Sequence, residues 1–313
     1  MLAQTAEILD PMDPKAALQL ARHGEFAEPM PSDDAHEVDV HLQRAQLLAF
    51  AGRNNEAHLQ LLAASKLDGR IQLPSSLPGT GEDAAYLVDP AQLASVARRT
   101  PPAEKSNVVS LADVSIERIL ASWQSILHAQ QVFYIANDRG ARDYGVRSIQ
   151  YSHATQELTT LAARVYKADG RILDANDQGE NSVADLNVAM YYDTRSHSFR
   201  FPTLEKGDVI YLEYRISPNS DVNPYGNYFG ALIAFQNGLP QRLRRYVLIA
   251  GSDRKLNVVE QRMPVHAAVA RSDGQIVYRW DAANLPPLTF ESRGPSLTEL
   301  APYVSISTFE DWN

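Results

Sequence analysis

Residues 206–216 have the sequence KGDVIYLEYRI. The first three residues predict a tight turn, because glycine adopts the positive φ that many tight turns require. The remainder, Val209–Ile216, is rich in β-branched and aromatic residues, which favour strands. The segment therefore predicts a strand that begins directly after a turn.

The same succession of turn residues and strand-like runs extends through residues 107–313. Glycine after Asp or Asn favours strand reversal, and such dipeptides occur at Asp169-Gly170, Asn237-Gly238 and Asp273-Gly274. The accompanying runs are Val165-Tyr166, Leu232–Phe235, Tyr246–Ile249 and Val265–Val269. Many short strands separated in this way are typical of an antiparallel β-sandwich, which we expect over this part of the chain.

One segment, residues 116–127, has an ambiguous pattern. Its apolar residues recur at helical spacing, at Ile116, Ile119, Leu120, Trp123, Ile126 and Leu127. Strand-like runs lie on either side of it, VVSL at 108–111 and VFYI at 132–135. We predict two strands of a long hairpin here, on the family resemblance described below.

Residues 1–106 have a helical pattern. Alanine and leucine dominate Lys15–Arg22 and Glu37–Lys66, and both residue types lose little side-chain freedom in a helix. Gly24 and Gly52 predict helix ends. The second stretch resembles one tetratricopeptide unit through the offsets of Ala45, Leu48, Gly52, Ala57, Leu61 and Ala64. We predict a helical hairpin in this style rather than a solenoid, since a solenoid needs several stacked repeats.

A loop-rich passage connects the two parts. A short helix is predicted near Gln92–Arg98, and Thr100-Pro101-Pro102 ends it, because proline cannot continue a helix. We place a domain boundary between residues 106 and 107. The predicted fold class is α+β and mainly β: a small α-helical region over 1–106, then an antiparallel β-sandwich over 107–313.

The charge of the chain argues against one class of partner. The formal net charge is −9, and residues 1–120 contribute −7 of it, with 17 acidic against 10 basic residues. Nucleic-acid binding draws on clustered Lys and Arg, so we expect no nucleic-acid partner. The short basic cluster at Arg242, Arg244 and Arg245 is interpreted as a solvated strand face, with an anionic ligand as the alternative.

The chain contains no cysteine, which excludes disulfides, thiolate zinc sites and a thiol nucleophile within it. No apolar run approaches the roughly 20 residues of a membrane-spanning helix, and the N-terminus lacks the features of a signal peptide. We expect no membrane span and no cofactor.

The β-rich part resembles a bacterial domain family of unknown function that precedes transglutaminase-like cores of the papain fold. The supporting motifs occur in order: VFYI at 132–135, NDRG at 137–140, ARV at 163–165, FP at 201–202, GDVI at 207–210, EY at 213–214, YRW at 278–280 and PYV at 302–304. The final residues YVSISTFEDWN are similar to the seam between such a domain and its core. The resemblance implies an accessory β-sandwich, with the catalytic Cys, His and Asp of the core downstream of Trp312.

Carboxylates are the candidates for catalysis within the chain itself. A carboxylate pair supports glycoside hydrolysis, and Asp208, Glu213 and Glu260 are possible members of one. Glu213 is expected to face solvent or to pair with Arg215. The eight histidines are scattered, and neither His-Glu-x-x-His nor Gly-x-Ser-x-Gly occurs. We therefore predict that the chain is not an enzyme, and a carboxylate-dependent hydrolase is the third hypothesis.

Residues 174–185, DANDQGENSVAD, resemble a calcium loop in outline, with oxygen-bearing side chains at alternate positions and glycine sixth. Glutamine at the fifth position and aspartate at the twelfth depart from that pattern, and the flanking residues are strand-like. We interpret the segment as a polar loop between strands and expect no metal site.

Aromatic residues are concentrated between residues 191 and 235. Phe199 and Phe201 alternate as core positions do. The segment 223–228 is instead predicted to be a loop with exposed tyrosines, and such rings stack on sugars or hold extended peptides. The predicted ligand-binding residues are Tyr225, Tyr228 and Phe229.

The leading functional hypothesis is a non-catalytic accessory N-terminal region that scaffolds a transglutaminase-like protease or acyltransferase, or presents substrate to it. Its partner would be the downstream transglutaminase-like domain, in the same polypeptide. The alternative is a stand-alone glycan- or peptide-binding β-sandwich protein. Because related architectures are typically exported, the expected location is the bacterial periplasm or cell envelope.

Overall fold

The computed structural model describes residues 34–50, 60, 63–64, 67–68, 82–182, 194–272, 274–289 and 297–309. The chain divides into two compact units, Met1–Ala85 and Tyr86–Asn313. In the first unit, helix α1 spans Asp34–Phe50 and a short 3-10 helix spans Glu82–Ala85. The predicted helix at Lys15–Arg22 and much of the tetratricopeptide-like hairpin lie outside the described residues, so that resemblance stays a prediction.

The second unit is mainly β, as predicted. Its strands are β1 Val108–Ile119, β2 Ser125–Ile135, β3 Val146–Ser152, β4 Gln156–Tyr166, β5 Ile172–Asp174, β6 Asn176–Ser182, β7 Thr194–Arg200, β8 Val209–Pro218, β9 Gly230–Ala234, β10 Gln241–Gly251, β11 Asn257–Gln261, β12 Ala268–Ser272, β13 Gln275–Leu285 and β14 Tyr303–Ser307. Its helices are α2 Pro90–Arg99, α3 Asp138–Asp143 and α4 Leu297–Leu300.

Eight strands form the main sheet, in the order β12-β13-β10-β1-β2-β8-β4-β5. Its neighbouring strands are antiparallel except for β1 and β10, which are parallel. The antiparallel pairing that we predicted is therefore present in this sheet except at this pair. Alternation of apolar residues predicts that a segment is a strand but not which strand lies beside it, and the paired residues Asp113 and Arg244 are 131 positions apart.

The ambiguous segment 116–127 forms the end of β1 and the start of β2. The two strands pair in antiparallel fashion from Val108 opposite Ile135 to Ile119 opposite Ser125, so the prediction of strands is confirmed. Ile116 and Ile119 point to opposite faces of the sheet, and both are buried. The helical spacing arises because this hairpin carries apolar residues on both of its faces.

Helix α2 covers one face of the main sheet, here called the helix face. Ala94 and Ala97 of the helix pack in one apolar core with Val114, Val132 and Val247 of three central strands. Burial of a valine side chain stabilises a fold by about 1.5–3 kcal/mol relative to exposure. The helix predicted near Gln92–Arg98 is therefore part of the β-rich unit.

Two three-stranded sheets, β3-β7-β6 and β11-β14-β9, cover the opposite face, here called the small-sheet face. Leu248, Glu117, Leu127 and Ile216 lie side by side in one row across β10, β1, β2 and β8, so they share a face. Leu248 belongs to the core under β11-β14-β9, and Ile216 packs against the core under β3-β7-β6. The small sheets thus lie over opposite halves of one face.

Two of the predicted turns have a backbone conformation that favours glycine. Gly170 has φ 95° and Gly207 has φ 94°, in the left-handed region that favours glycine. The Gly170 N–H donates to the Lys167 carbonyl at 2.9 Å, which closes the β4–β5 hairpin. The turn at Gly207 directly precedes β8.

Candidate functional site

A group of polar side chains lies at the middle of the small-sheet face. Asp113 of β1 pairs with Gln131 of β2, and Ser115 of β1 pairs with Ala129, which in turn pairs with Tyr214 of β8. Paired residues on neighbouring strands point to the same face. We call Asp113, Ser115, Gln131 and Tyr214 the central strip.

The central strip lies between two apolar cores. The β3-β7-β6 sheet covers the face on the β8 and β4 side, and the β11-β14-β9 sheet covers it on the β10 and β13 side. All four strip residues are half-buried, whereas Val114 and Val132, on the helix face of the same strands, are fully buried. The strip is therefore a polar floor that retains contact with solvent.

Arg244 neutralises the acid of the central strip. Its Nη1 donates to Asp113 Oδ1 at 3.3 Å and to Ser115 Oγ at 3.0 Å. Its guanidinium lies 5.6 Å from the centre of the Phe235 ring, and the residue is 8% exposed. The interpretation of Arg244 as part of a solvated strand face is wrong, because this face of β10 is covered.

Burial shifts the pKa values of two groups at the central strip, Tyr214 and Glu117. Burial raises the pKa of Tyr214 to about 12, and Asp113 also raises it, so the phenol keeps its proton. Burial raises the pKa of Glu117, beside the strip on β1, although its hydrogen bonds with Ser125 and Tyr246 oppose the shift. The central strip therefore offers mainly hydrogen-bonding groups, because its one carboxylate, Asp113, is paired with Arg244.

The structure places the three predicted ligand-binding residues in different environments. Tyr225 is 76% exposed, and Tyr228 stacks on Phe309 with ring centroids 4.8 Å apart. Phe229 is 5% exposed and packs in the core under the β11-β14-β9 sheet. Tyr225, Tyr228 and Phe309 present accessible rings at and beside this loop, and Phe309 is 57% exposed.

Asn223 shapes the loop that carries these tyrosines. Its Oδ1 accepts a hydrogen bond from Tyr225 N–H at 3.0 Å, and its Nδ2 donates to the Tyr228 carbonyl at 2.9 Å. Asparagine side chains commonly stabilise turns in this way. The loop thus holds Tyr225 away from the sheet.

The contacts of Asp208 stabilise the fold. It is 0% exposed and accepts hydrogen bonds from Lys167 Nζ at 2.6 Å and from the N–H groups of Ala168 and Glu205. Burial alone lowers the pKa of Lys167, but its hydrogen bonds to Asp208 and Glu205 outweigh burial and raise that pKa. The pair fixes the turn before β8 to the end of β4.

Glu213 points into the helix face rather than to solvent. It is 2% exposed, lies 2.8 Å from His128 Nε2, and accepts a hydrogen bond from Tyr211 Oη. The expectation that it faces solvent or pairs with Arg215 is wrong, since both faces of β8 are covered. Burial and the charge of Glu213 raise the pKa of Tyr211 far above its ordinary value.

Gln130 extends this buried network to the segment before α2. Its Nε2 donates to the Val88 carbonyl at 2.9 Å, and its Oε1 accepts the Val88 N–H at 2.9 Å. Gln130 also donates to Tyr211 Oη at 3.3 Å. Sequence reasoning missed this role and that of His128, because their partners lie 42 and 85 residues away.

Glu260 is the most accessible of the three carboxylates, with its side chain 20% exposed. It accepts hydrogen bonds from Trp280 Nε1 at 2.6 Å and Ala267 N–H at 2.9 Å, and it contacts His266 Nδ1 at 2.5 Å. Burial raises the pKa of Glu260, but these hydrogen bonds outweigh burial and lower it overall. Glu260 therefore anchors the segment between β11 and β12.

The calcium-like segment is not a loop where it is described. Residues 174–182 belong to β5 and β6 apart from Ala175, and Asp174 forms an ion pair with Arg164 at 3.0 Å. Residues 183–185 lie outside the described part. Within the described ranges, no group of three or more His, Asp or Glu side chains is arranged to hold a metal ion.

The part of the chain that the structure describes has no helix that is long and apolar enough to cross a membrane.

Comparison with families shows one match. The model of DUF3857, a domain of unknown function with a solved structure, matches residues 124–289. The match lies within the β-rich part that resembles such a domain by sequence. No curated protein matches the chain.

A solved structure shares this fold. A candidate protease from Parabacteroides distasonis ATCC 8503 is 19% identical and superposes with a TM-score of 0.59. The match covers 66% of this chain and 41% of that protein. A candidate nutrient-binding protein from Legionella pneumophila is 10% identical over 66% of this chain and 68% of its own, and its TM-score of 0.28 does not indicate a common fold.

Proposed function

Since this chain belongs to the DUF3857 family, we propose that it is a non-catalytic accessory domain of a transglutaminase-like protease or acyltransferase. It scaffolds that enzyme or presents substrate to it. The observation that carries the proposal is the fold shared with the Parabacteroides protein, in which the match accounts for 41% of the length. The rest of that protein is longer than the part that shares this fold.

The environment of the carboxylates supports a non-catalytic role. Asp208 and Glu213 are 0% and 2% exposed, and each is engaged by neighbouring side chains. A catalytic carboxylate must reach substrate, and a glycosidase needs a facing pair. Asp208, in the turn before β8, and Glu213, within β8, are both buried and held by structural partners, so they do not provide that arrangement.

The absence of cysteine makes the proposal testable with one reagent. Iodoacetamide inactivates transglutaminase-like enzymes through their nucleophilic cysteine, whereas this chain has no cysteine to alkylate. We expect the native material from the source cells to show iodoacetamide-sensitive peptide hydrolysis or amine incorporation. The purified 313-residue chain should show neither.

Turnover by the purified chain would overturn the proposal. If that turnover were also lost in Glu213→Gln or Glu260→Gln, the carboxylate-dependent hydrolase would take its place. Native material without iodoacetamide-sensitive activity would likewise count against an enzyme partner.

A second function, binding of a glycan or peptide, is favoured by the accessible rings of Tyr225, Tyr228 and Phe309. Aromatic rings on a surface stack against sugar rings and extended peptides. The double variant Tyr225→Ala/Tyr228→Ala should lose retention on immobilised glycans or peptides, while Tyr303→Ala, on the same small sheet, should keep it. Equal retention by both variants would exclude this loop as the binding surface.

The location that we propose is the bacterial periplasm or cell envelope. The proposal is supported by the absence of cysteine, which suits an oxidising compartment. Fractionation of the source cells should recover the protein with periplasmic or envelope markers. Recovery with cytosolic markers would overturn this location without affecting the accessory role.

A further inference from the structure

Arg147 has an unusual environment for an arginine of this protein. It lies on the side of β3 that faces the main sheet, as do the buried residues Ile149 and Tyr151. Its guanidinium carbon is 5.2 Å from the centre of the Phe133 ring and 4.7 Å from that of Tyr144. The cation therefore lies against a pair of contacting aromatic rings, whose centroids are 5.4 Å apart, at the edge of the β3-β7-β6 sheet.

No anion accompanies this cation within the described residues. Arg147 makes no ion pair there, and its Nε is buried without a hydrogen-bond partner. Other arginines of the unit have carboxylate partners: Arg242 pairs with Glu104, Arg244 with Asp113, and Arg245 with Asp281. Aromatic rings stabilise a cation through their faces but leave the in-plane N–H donors unused.

Two residues of the central strip, Gln131 and Tyr214, lie on the face of the main sheet toward which Arg147 points. Phe133, under the guanidinium, lies two positions from Gln131 on the same face of β2, which places their Cα atoms about 7 Å apart. Tyr214 interacts electrostatically with Arg147, and its phenol remains protonated at neutral pH. Neither Gln131 nor the Tyr214 hydroxyl has a hydrogen-bond partner in the described part of the chain.

We propose that Arg147, Tyr214 and Gln131 form a binding site for the carboxylate group of a small ligand. The planar guanidinium matches a carboxylate, and a phenol and an amide add two neutral donors beside it. Asp113, the acid of the central strip, is already paired with Arg244. Arg147 therefore remains, among the described residues, without a carboxylate partner and can bind the carboxylate of a ligand. The inference does not depend on the accessory role.

The experiment compares a carboxylate with its amide. Isothermal titration with N-acetyl-alanyl-alanine should show binding, and N-acetyl-alanyl-alaninamide, in which a neutral amide replaces the carboxylate, should show none. Glucuronate against glucose distinguishes an acidic sugar from a peptide terminus as the source of the carboxylate. Absence of binding by both acids, or equal binding of acids and their neutral partners, would overturn the proposal.

Substitutions test whether the acids bind at Arg147, Tyr214 and Gln131. Arg147→Gln should weaken acid binding by about tenfold or more, because a charge-assisted hydrogen bond is lost. Arg139→Gln is the control, since Arg139 is exposed on α3 and pairs with Asp143 at 3.6 Å. Tyr214→Phe should weaken binding by a smaller factor and serves if Arg147→Gln does not fold. Unchanged affinity in a folded Arg147→Gln protein would overturn the assignment.

Discussion

Asp208 joins three parts of the chain at a single carboxylate. Its oxygens accept hydrogen bonds from the ammonium of Lys167 and from two backbone N–H groups, one in the β4–β5 turn and one just before β8. Lys167 is itself 4% exposed. Removal of the charge would leave a buried cation with only the exposed Glu205 as a countercharge.

We expect Asp208→Asn to lower the free energy of unfolding by about 3 kcal/mol, because the buried Lys167 cation then keeps only an exposed countercharge. Urea unfolding monitored by circular dichroism measures the change. The matched control is Asp169→Asn. The ion pair of Asp169 with Arg171 at 2.7 Å is exposed, so its loss should leave the free energy of unfolding close to that of the natural chain. Equal losses in both variants would show that burial of the Lys167–Asp208 pair is not responsible.

Glu260 should make stability depend on acidic pH. Because its pKa is lowered in the folded state, it contributes stability above the pKa of the unfolded state, about 4.3, and that contribution is lost as pH falls through the folded pKa. Glu260→Gln should therefore be less stable than the natural chain near neutral pH, and its stability should change less between about pH 5 and pH 3. Thermal unfolding across this range, with the exposed Glu157→Gln as control, provides the measurement.

The roles of individual side chains were the hardest to predict from the sequence. The run Val209–Ile216 predicts its strand correctly, but not that Glu213 is buried against His128. Whether a polar position on a strand is exposed depends on what covers that face. For β8 the covering elements come from residues far away in sequence. Arg147 gave no signal either, because Phe133, one of its two ring partners, becomes a neighbour only when β3 packs over β2.

At the scale of elements, α3 is fixed to the start of β1 by a close backbone contact. Asn137 caps the helix by accepting the Gly140 N–H at 3.0 Å, and its Nδ2 donates to Asn107 Oδ1 at 3.0 Å. A methyl group added at Gly140 would lie 2.9 Å from Val108 Cγ2 and would collide with the Asn107 carbonyl. The glycine is required by this approach and not by its backbone conformation.

Gly140→Ala should therefore destabilise the fold by about 1–3 kcal/mol or more, since the backbone of β1 must move. Gly145→Ala is the control, because its nearest neighbours would lie at 3.5 and 3.6 Å, which is ordinary contact. Chemical denaturation compares the two variants. If Gly140→Ala were as stable as Gly145→Ala, the contact between α3 and β1 would not be close in solution.

The existence of elements was easier to predict than their partners. The turns at residues 169–170 and 206–208 and the helix near Gln92–Arg98 follow from local chemistry, and each is present. The segment 116–127 needed the family resemblance, since apolar residues on both faces of β1 and β2 imitate a helical period. The parallel pairing of β1 with β10 left no local signal.

At the scale of the whole molecule, the residues before β1 contribute to the core. Leu87, Val88 and Leu93 pack against the buried cluster of the helix face, which includes Ala94 and Ala97. Gln130 holds the Val88 backbone by two hydrogen bonds. A piece that begins at Tyr86 keeps these contacts, whereas one that begins at the predicted boundary, residue 107, loses them.

We expect residues 86–313 to fold with native-like near-ultraviolet circular dichroism and a cooperative transition. Residues 107–313 should be less stable by on the order of 3–5 kcal/mol, because the helix face loses its cover and Gln130 loses Val88. Thermal unfolding of both pieces makes the comparison. Equal stability would support a domain boundary at residues 106–107.

The parallel pair also has a consequence in time. During synthesis β2 follows β1 at once, but Arg244, the partner of Asp113, is added 131 residues later. At about 5–20 residues per second, this interval lasts roughly 7–26 s. Throughout it, β1 has one unpaired edge, of the kind that recruits strands from other chains. Slow translation of residues 136–240 would lengthen this exposure, so the yield of folded protein should depend on how fast the ribosome moves through that region.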